Sequence, residues 1–81
     1  MILSVHIDNM KEAEQFSAVL RNYAGDITLK ADQYCVDPRS ILGVLAIMYS
    51  AHNNMVLDTG DTPEGDLIRL QADVAPYLQS P

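Results

Sequence analysis

The nine residues Ile41-Leu42-Gly43-Val44-Leu45-Ala46-Ile47-Met48-Tyr49 form the longest apolar run in the chain, and no charged side chain interrupts them. A membrane span needs roughly 20 such residues, so the run belongs in or against a folded domain. Asp37-Pro38-Arg39-Ser40 precedes it. Proline withholds a backbone donor and turns the residue before it away from helix, and serine is among the best helix N-caps. The run therefore reads as a helix from Ile41 to about Met48. Ile41, Leu45 and Met48 follow i, i+4, i+7, with Val44, Tyr49 and Leu42 on neighbouring faces, so this helix is apolar nearly all round. One face must pack on a sheet. A small two-layer domain has nothing to cover the other, which makes Ile41, Leu45 and Met48 the expected partner-binding residues.

The remaining segments supply that sheet. Ile2 to Ile7 alternates, with Leu3, Val5 and Ile7 on one side and Ser4 and His6 on the other, the pattern of a half-buried strand. Asp8-Asn9 offers capping side chains to a helix in which Ala13, Phe16, Val19, Leu20 and Tyr23 recur at three- and four-residue spacing, ended by Ala24-Gly25-Asp26. Ile27–Lys30 and Tyr34–Val36 read as a hairpin joined by Ala31-Asp32-Gln33. His52-Asn53-Asn54 reads as a turn and Met55–Thr59 as a fourth strand. Thr62, with Pro63 just inside, marks the start of a last helix whose Leu67, Leu70, Val74 and Leu78 share a face. Pro76 should kink or shorten it. The expected fold is α+β: an open-faced two-layer sandwich in the order βαββαβα, a four-stranded antiparallel sheet with three helices on one face.

The 81 residues make one domain, 1–81, with Gln79-Ser80-Pro81 a loose tail. Five Lys and Arg against eleven Asp and Glu give a net charge of -6, which disfavours nucleic acid as a partner. No membrane partner is indicated. Cys35 is the single cysteine, so no internal disulfide forms, and a reducing, cytoplasmic setting fits. Cys35, His6 and His52 are too few for a four-ligand zinc site, and Asp58, Asp61, Glu64 and Asp66 lack the spacing of a calcium loop. No metal, cofactor or catalytic residue is expected: GxGxxG, P-loop, GxSxG and HExxH patterns are all missing.

The element order and two segments resemble HPr, the small phosphocarrier family of the bacterial sugar phosphotransferase system. Val36-Asp37-Pro38-Arg39-Ser40-Ile41-Leu42-Gly43-Val44-Leu45 is similar to that family's regulatory-serine segment, commonly Val-Asp-Ala-Lys-Ser-Ile-Leu-Gly-Val-Met. Phe16 to Leu29 is similar to its helix that ends in an aromatic and runs through Asp-Ile into a strand. The resemblance makes Ser40 the regulatory phosphorylation candidate and makes the helix that follows, with the start of the first, the partner-binding face. It implies as partners a serine kinase/phosphorylase and a catabolite-control regulator. Cap chemistry alone also accounts for Ser40.

The departure concerns the phosphate-accepting histidine. The family carries Gly-x-His-x-Arg-Pro after the first strand; here the stretch is Ile7-Asp8-Asn9-Met10-Lys11-Glu12, with Asn9 at the histidine's place and Lys11 at the arginine's. An amide has no lone-pair nitrogen to attack a phosphoenzyme, whereas neutral imidazole has one. The expectation is a noncatalytic HPr-like regulatory or interaction protein without histidine phosphotransfer. A true phosphocarrier using His6, and a structural homodimer outside the sugar system, are the alternatives.

Overall fold

The computed structural model describes residues 1–51 and 55–78. The expected turn at His52-Asn53-Asn54 and the tail Gln79-Ser80-Pro81 lie outside the described residues. The elements are β1 (Ile2–Ser4), α1 (Met10–Leu20), β2 (Thr28–Ala31), β3 (Tyr34–Val36), α2 (Ile41–Ala51), β4 (Val56–Asp58) and α3 (Glu64–Val74), followed by one 3-10 turn over Ala75–Tyr77. The four strands form one antiparallel sheet in the order β1-β4-β2-β3. The fold is thus the α+β two-layer sandwich of order βαββαβα.

Register and side-chain alternation make the sheet one-sided. Leu3 stands opposite Leu57, Leu57 opposite Leu29, and Leu29 opposite Val36, so four aliphatic residues cross all four strands in a row. Beneath the helices this row meets Phe16, Leu20, Val44, Ile47, Leu70 and Val74, each with no exposed surface. Phe16 also packs edge-on against Tyr77 at a centroid separation of 5.4 Å. The other side of the sheet carries Ser4, Lys30 and Asp58, with a Lys30–Asp58 ion pair of 3.0 Å lying across it.

Several boundaries differ from those read in the sequence. Regular pairing of β1 stops at Ser4: the Val5 N–H still donates to the Met55 carbonyl, just before β4, while Val5 bridges to Leu78 and the His6 N–H donates to the Tyr77 carbonyl of the C-terminal segment. Ala31 belongs to β2, leaving Asp32-Gln33 as a two-residue turn with Asp32 at a φ of 53°. Hairpins of this length demand positive φ, which Asp tolerates better than most residues. Thr62 does not cap α3. Pro63 holds the cap position without a side-chain bond, and the Thr62 hydroxyl donates to the Thr59 carbonyl within the turn. Glu64 and Asp66 in the first turn offset the free amides instead. Pro76 ends the α-helical hydrogen bonding, and the chain tightens there into the 3-10 turn.

Two glycines provide a contrast that tests this backbone. Gly60 has a φ of +56°, and a Cβ there would lie 2.5 Å from the Asp26 carbonyl oxygen, whereas nothing lies within 4 Å of a Cβ on Gly65. Gly60→Ala is expected to destabilise the fold by about 2 kcal/mol or more. Gly65→Ala should stabilise it by about 0.4–1 kcal/mol through the unfolded chain. Urea denaturation midpoints check both.

Candidate functional site

The site is built where the end of β3 turns into α2. Asp37 Oδ1 accepts the backbone N–H of Arg39 at 2.9 Å and its Nε at 3.0 Å. That orients the guanidinium, whose two remaining nitrogens donate to the carbonyls of Tyr23 and Gly25, each at 2.9 Å. In return the Arg39 carbonyl accepts from the buried Ser17 hydroxyl at 2.9 Å and from Arg21 Nε at 3.2 Å. One residue therefore ties the segment after α1 to the loop that starts α2. Arg39, adjacent to Ser40 in sequence, is thereby committed to these carbonyls and the Asp37 carboxylate.

Ser40 is exposed and caps α2: its hydroxyl oxygen accepts the Gly43 N–H at 3.3 Å, and its carbonyl accepts from Val44 at 3.0 Å. A phosphate on Ser40 would meet the free amides and positive end of α2, with the Asp37 carboxylate nearby in sequence. Gly43 has a packing role of its own, because a Cβ there would stand 3.2 Å from Val36 Cβ and 3.3 Å from the Asp37 carbonyl oxygen. Much of the Val36–Leu45 pattern therefore has a local physical basis in cap, turn and close approach.

The structure divides α2 differently from the expected stripe. Met48 is 5% exposed and belongs to the core with Val44 and Ile47, while Ile41 and Leu45 are half-buried and packed against that core. Met48 therefore cannot be a docking residue as the surface stands. The side chains turned outward are Leu42, 77% exposed, and Tyr49, 72% exposed, seven residues and about two turns apart. Leu45 and the exposed Ala46 lie between them. Sequence reading placed Leu42 and Tyr49 on neighbouring faces without singling them out, since an uncharged helix gives no polar residues to mark its outside.

At the start of α1, Asn9 is the N-cap. Its side-chain oxygen accepts the Glu12 N–H at 2.9 Å, and Glu12 Oε1 accepts the Asp8 N–H at 3.0 Å, a reciprocal cap that occupies amides a phosphate would otherwise use. Lys11 is exposed. The His6 ring is partly exposed, and its Nε2 pairs with the Asp8 carboxylate. An anion thus stands beside this ring where a phosphate site would place a cation.

Between the end of α1 and α3 lies a shallow hollow of about 540 Å³ lined by Asn22, Tyr23, Arg69, Ala72 and Asp73. The Tyr23 hydroxyl donates to Asp73, and the Arg69 guanidinium lies 5.5 Å from the Tyr23 ring centroid. Burial, and then the Asp73 bond, push the Tyr23 hydroxyl above the usual phenol range, so it remains protonated at neutral pH. Within the hollow the Tyr23 hydroxyl and the Asp73 carboxylate satisfy one another. Among the described residues no three His, Cys, Asp or Glu gather closely enough to hold a metal ion, and no helix is long and apolar enough to cross a membrane.

The Arg39 contacts generate two expectations. Arg39→Ala should lower stability by about 2–3 kcal/mol, and Arg39→Lys should recover little of it because an ammonium cannot reproduce the fork. Denaturant titration checks this. The backbone N–H of Arg39, and then its guanidinium, hold the Asp37 carboxyl below the ordinary carboxylate range; the Gly60 N–H, and then Lys30, do the same for Asp58. A carboxyl held low in the fold contributes stability above about pH 4 that is lost as pH falls through its folded pKa. Melting temperature should fall below about pH 4, and Asp37→Asn and Asp58→Asn should each flatten that fall.

The chain matches no protein-family model, no curated protein and no solved structure. The likeness to HPr rests on the Val36–Leu45 and Phe16–Leu29 segments and on the order of elements.

Proposed function

We propose that this chain is a noncatalytic HPr-like regulatory protein of the cytoplasm, one that docks a protein partner through α2 and does not relay phosphate on histidine. The observation that carries the reading is the outward face of α2. Leu42 and Tyr49 stand open to solvent on a helix with no charged residue, directly after a capping serine. Apolar side chains grouped in this way are characteristic of interaction surfaces. Support for the loss of phosphotransfer comes from Asn9, whose amide serves as a helix cap at the family's histidine position. The partners implied by the resemblance are a serine kinase/phosphorylase and a catabolite-control regulator. A phosphate on Ser40, held by the free amides of α2 without help from Arg39, would alter charge at the edge of the docking face while leaving the fold intact.

The rival reading, phosphotransfer through His6, draws on the partial exposure of that ring and is opposed by the Asp8 carboxylate paired with it. Phosphoenolpyruvate and the general phosphotransferase enzyme separate the two. No acid-labile phosphate is expected on the chain, and its appearance on His6 would establish the rival. With the family's serine kinase and ATP, one phosphate is expected, absent from Ser40→Ala. Leu42→Glu should weaken kinase binding at least tenfold, a loss of about 1.4 kcal/mol. Unchanged binding would remove α2 as the docking face.

A further inference from the structure

One turn of α3 carries two opposite charges that do not close on each other. Arg69 and Asp73 are four residues apart, the spacing at which side chains on a helix meet and an ion pair ordinarily forms. Here they stay more than 4.0 Å apart, and among the described residues the one carboxylate within that distance of the Arg69 guanidinium is Asp66, at the limit itself. Both groups are engaged by Tyr23, just beyond α1. The Tyr23 hydroxyl donates to Asp73 Oδ2, and the guanidinium lies 5.5 Å from the centre of the phenol ring. Tyr23 is itself buried, so it fixes both charged groups at the hollow they line.

The lining retains bonding capacity that the protein leaves open. Among the described residues the second Asp73 oxygen accepts no hydrogen bond and the Asn22 side-chain amide makes none. A guanidinium presents a planar fork of donors matched to a carboxylate, a free carboxylate oxygen accepts from an ammonium, and a primary amide can serve either. The Tyr23 ring and the Ala72 methyl add apolar surface beside these groups. At about 540 Å³ the hollow falls within the size range of small-molecule sites.

Its two charges select the ligand. A simple anion that pairs with Arg69 also meets the Asp73 carboxylate, and a simple amine that pairs with Asp73 also meets the guanidinium. A molecule with a carboxylate and an ammonium on one carbon satisfies both. A peptide separates its termini by its whole length and presents only one of them here. We infer that the hollow between the end of α1 and α3 binds a free α-amino acid, its carboxylate on Arg69, its ammonium on Asp73 and its side chain against Tyr23 and Ala72. The inference is independent of the docking reading, because no residue of α2 lines the hollow. The site is shallow and its charges are open to solvent, which keeps each ion pair weak. A dissociation constant of about 1–10 mM follows.

Amide proton–nitrogen correlation spectra of the full chain, titrated with L-leucine to about 50 mM, test it. The backbone signals of Asn22, Tyr23, Arg69 and Asp73 should move and saturate together. Isocaproate is leucine without its ammonium and isoamylamine is leucine without its carboxylate; each should bind at least about tenfold more weakly. Arg69→Gln and Asp73→Asn should each weaken L-leucine binding by a similar factor. Both positions are exposed, and asparagine still offers the Tyr23 hydroxyl an acceptor, so the fold is retained. Lys11→Gln removes the same charge as Arg69→Gln outside the hollow and should bind like wild type. Signals that stay in place at about 50 mM L-leucine, equal binding of either analogue, or undiminished binding in Arg69→Gln or Asp73→Asn would each overturn the assignment.

Discussion

The row of Leu3, Leu57, Leu29 and Val36 across the sheet is the contact on which the remainder of the fold depends. Each strand is only 3 or 4 residues long, too short for its ladder of hydrogen bonds to hold alone. Burial of a full aliphatic side chain contributes about 1.5–3 kcal/mol, so the row and the helices above it stabilise the sheet more than its hydrogen bonds do. The same row sets the register. A slip of one residue would turn Lys30 and Asp58 into the core. Because the sheet buries only this face, all three helices must lie over it, and α2 is left with one covered side and one open side.

The beginning of α2 is fixed separately, by Arg39. A planar guanidinium can bind a carboxylate and two carbonyls at once, and here it joins Asp37 to the carbonyls of Tyr23 and Gly25. With Ser40 as cap and Gly43 against Val36, the turn determines which residues of the uncharged helix face inward. Val44, Ile47 and Met48 are directed to the core, and Leu42 and Tyr49 away from it. The exposed apolar side of α2 is therefore a consequence of the turn geometry.

This explains how far the sequence could be read. The order of elements, the Asn9 and Ser40 caps and the stop at Pro76 depend on local chemistry, and they were legible from residue type and spacing. The assignment of Met48 to the open face failed because an all-apolar helix has no polar side to orient it, and only contacts with distant residues decide the matter. Thr62 and Pro63 mark the start of α3, but the Thr62 hydroxyl gives the helix no cap because it donates to a carbonyl three residues back, inside the turn. The reach of Arg39 to residues 14 and 16 positions away was not legible from spacing at all. At Asn9 the local reading was informative about the cap, since its side-chain oxygen accepts the Glu12 N–H.

The central claim is the division of α2 into a core side and an open side, and accessibility of its side chains to a dissolved paramagnetic probe measures it most directly. On dilute labelled protein, the account predicts strong relaxation enhancement for the Leu42 methyls and the Tyr49 ring, and very little for Val44, Ile47 and Met48. Equal enhancement at Met48 and Leu42, or protection of Leu42 and Tyr49 in the dilute monomer, would contradict it.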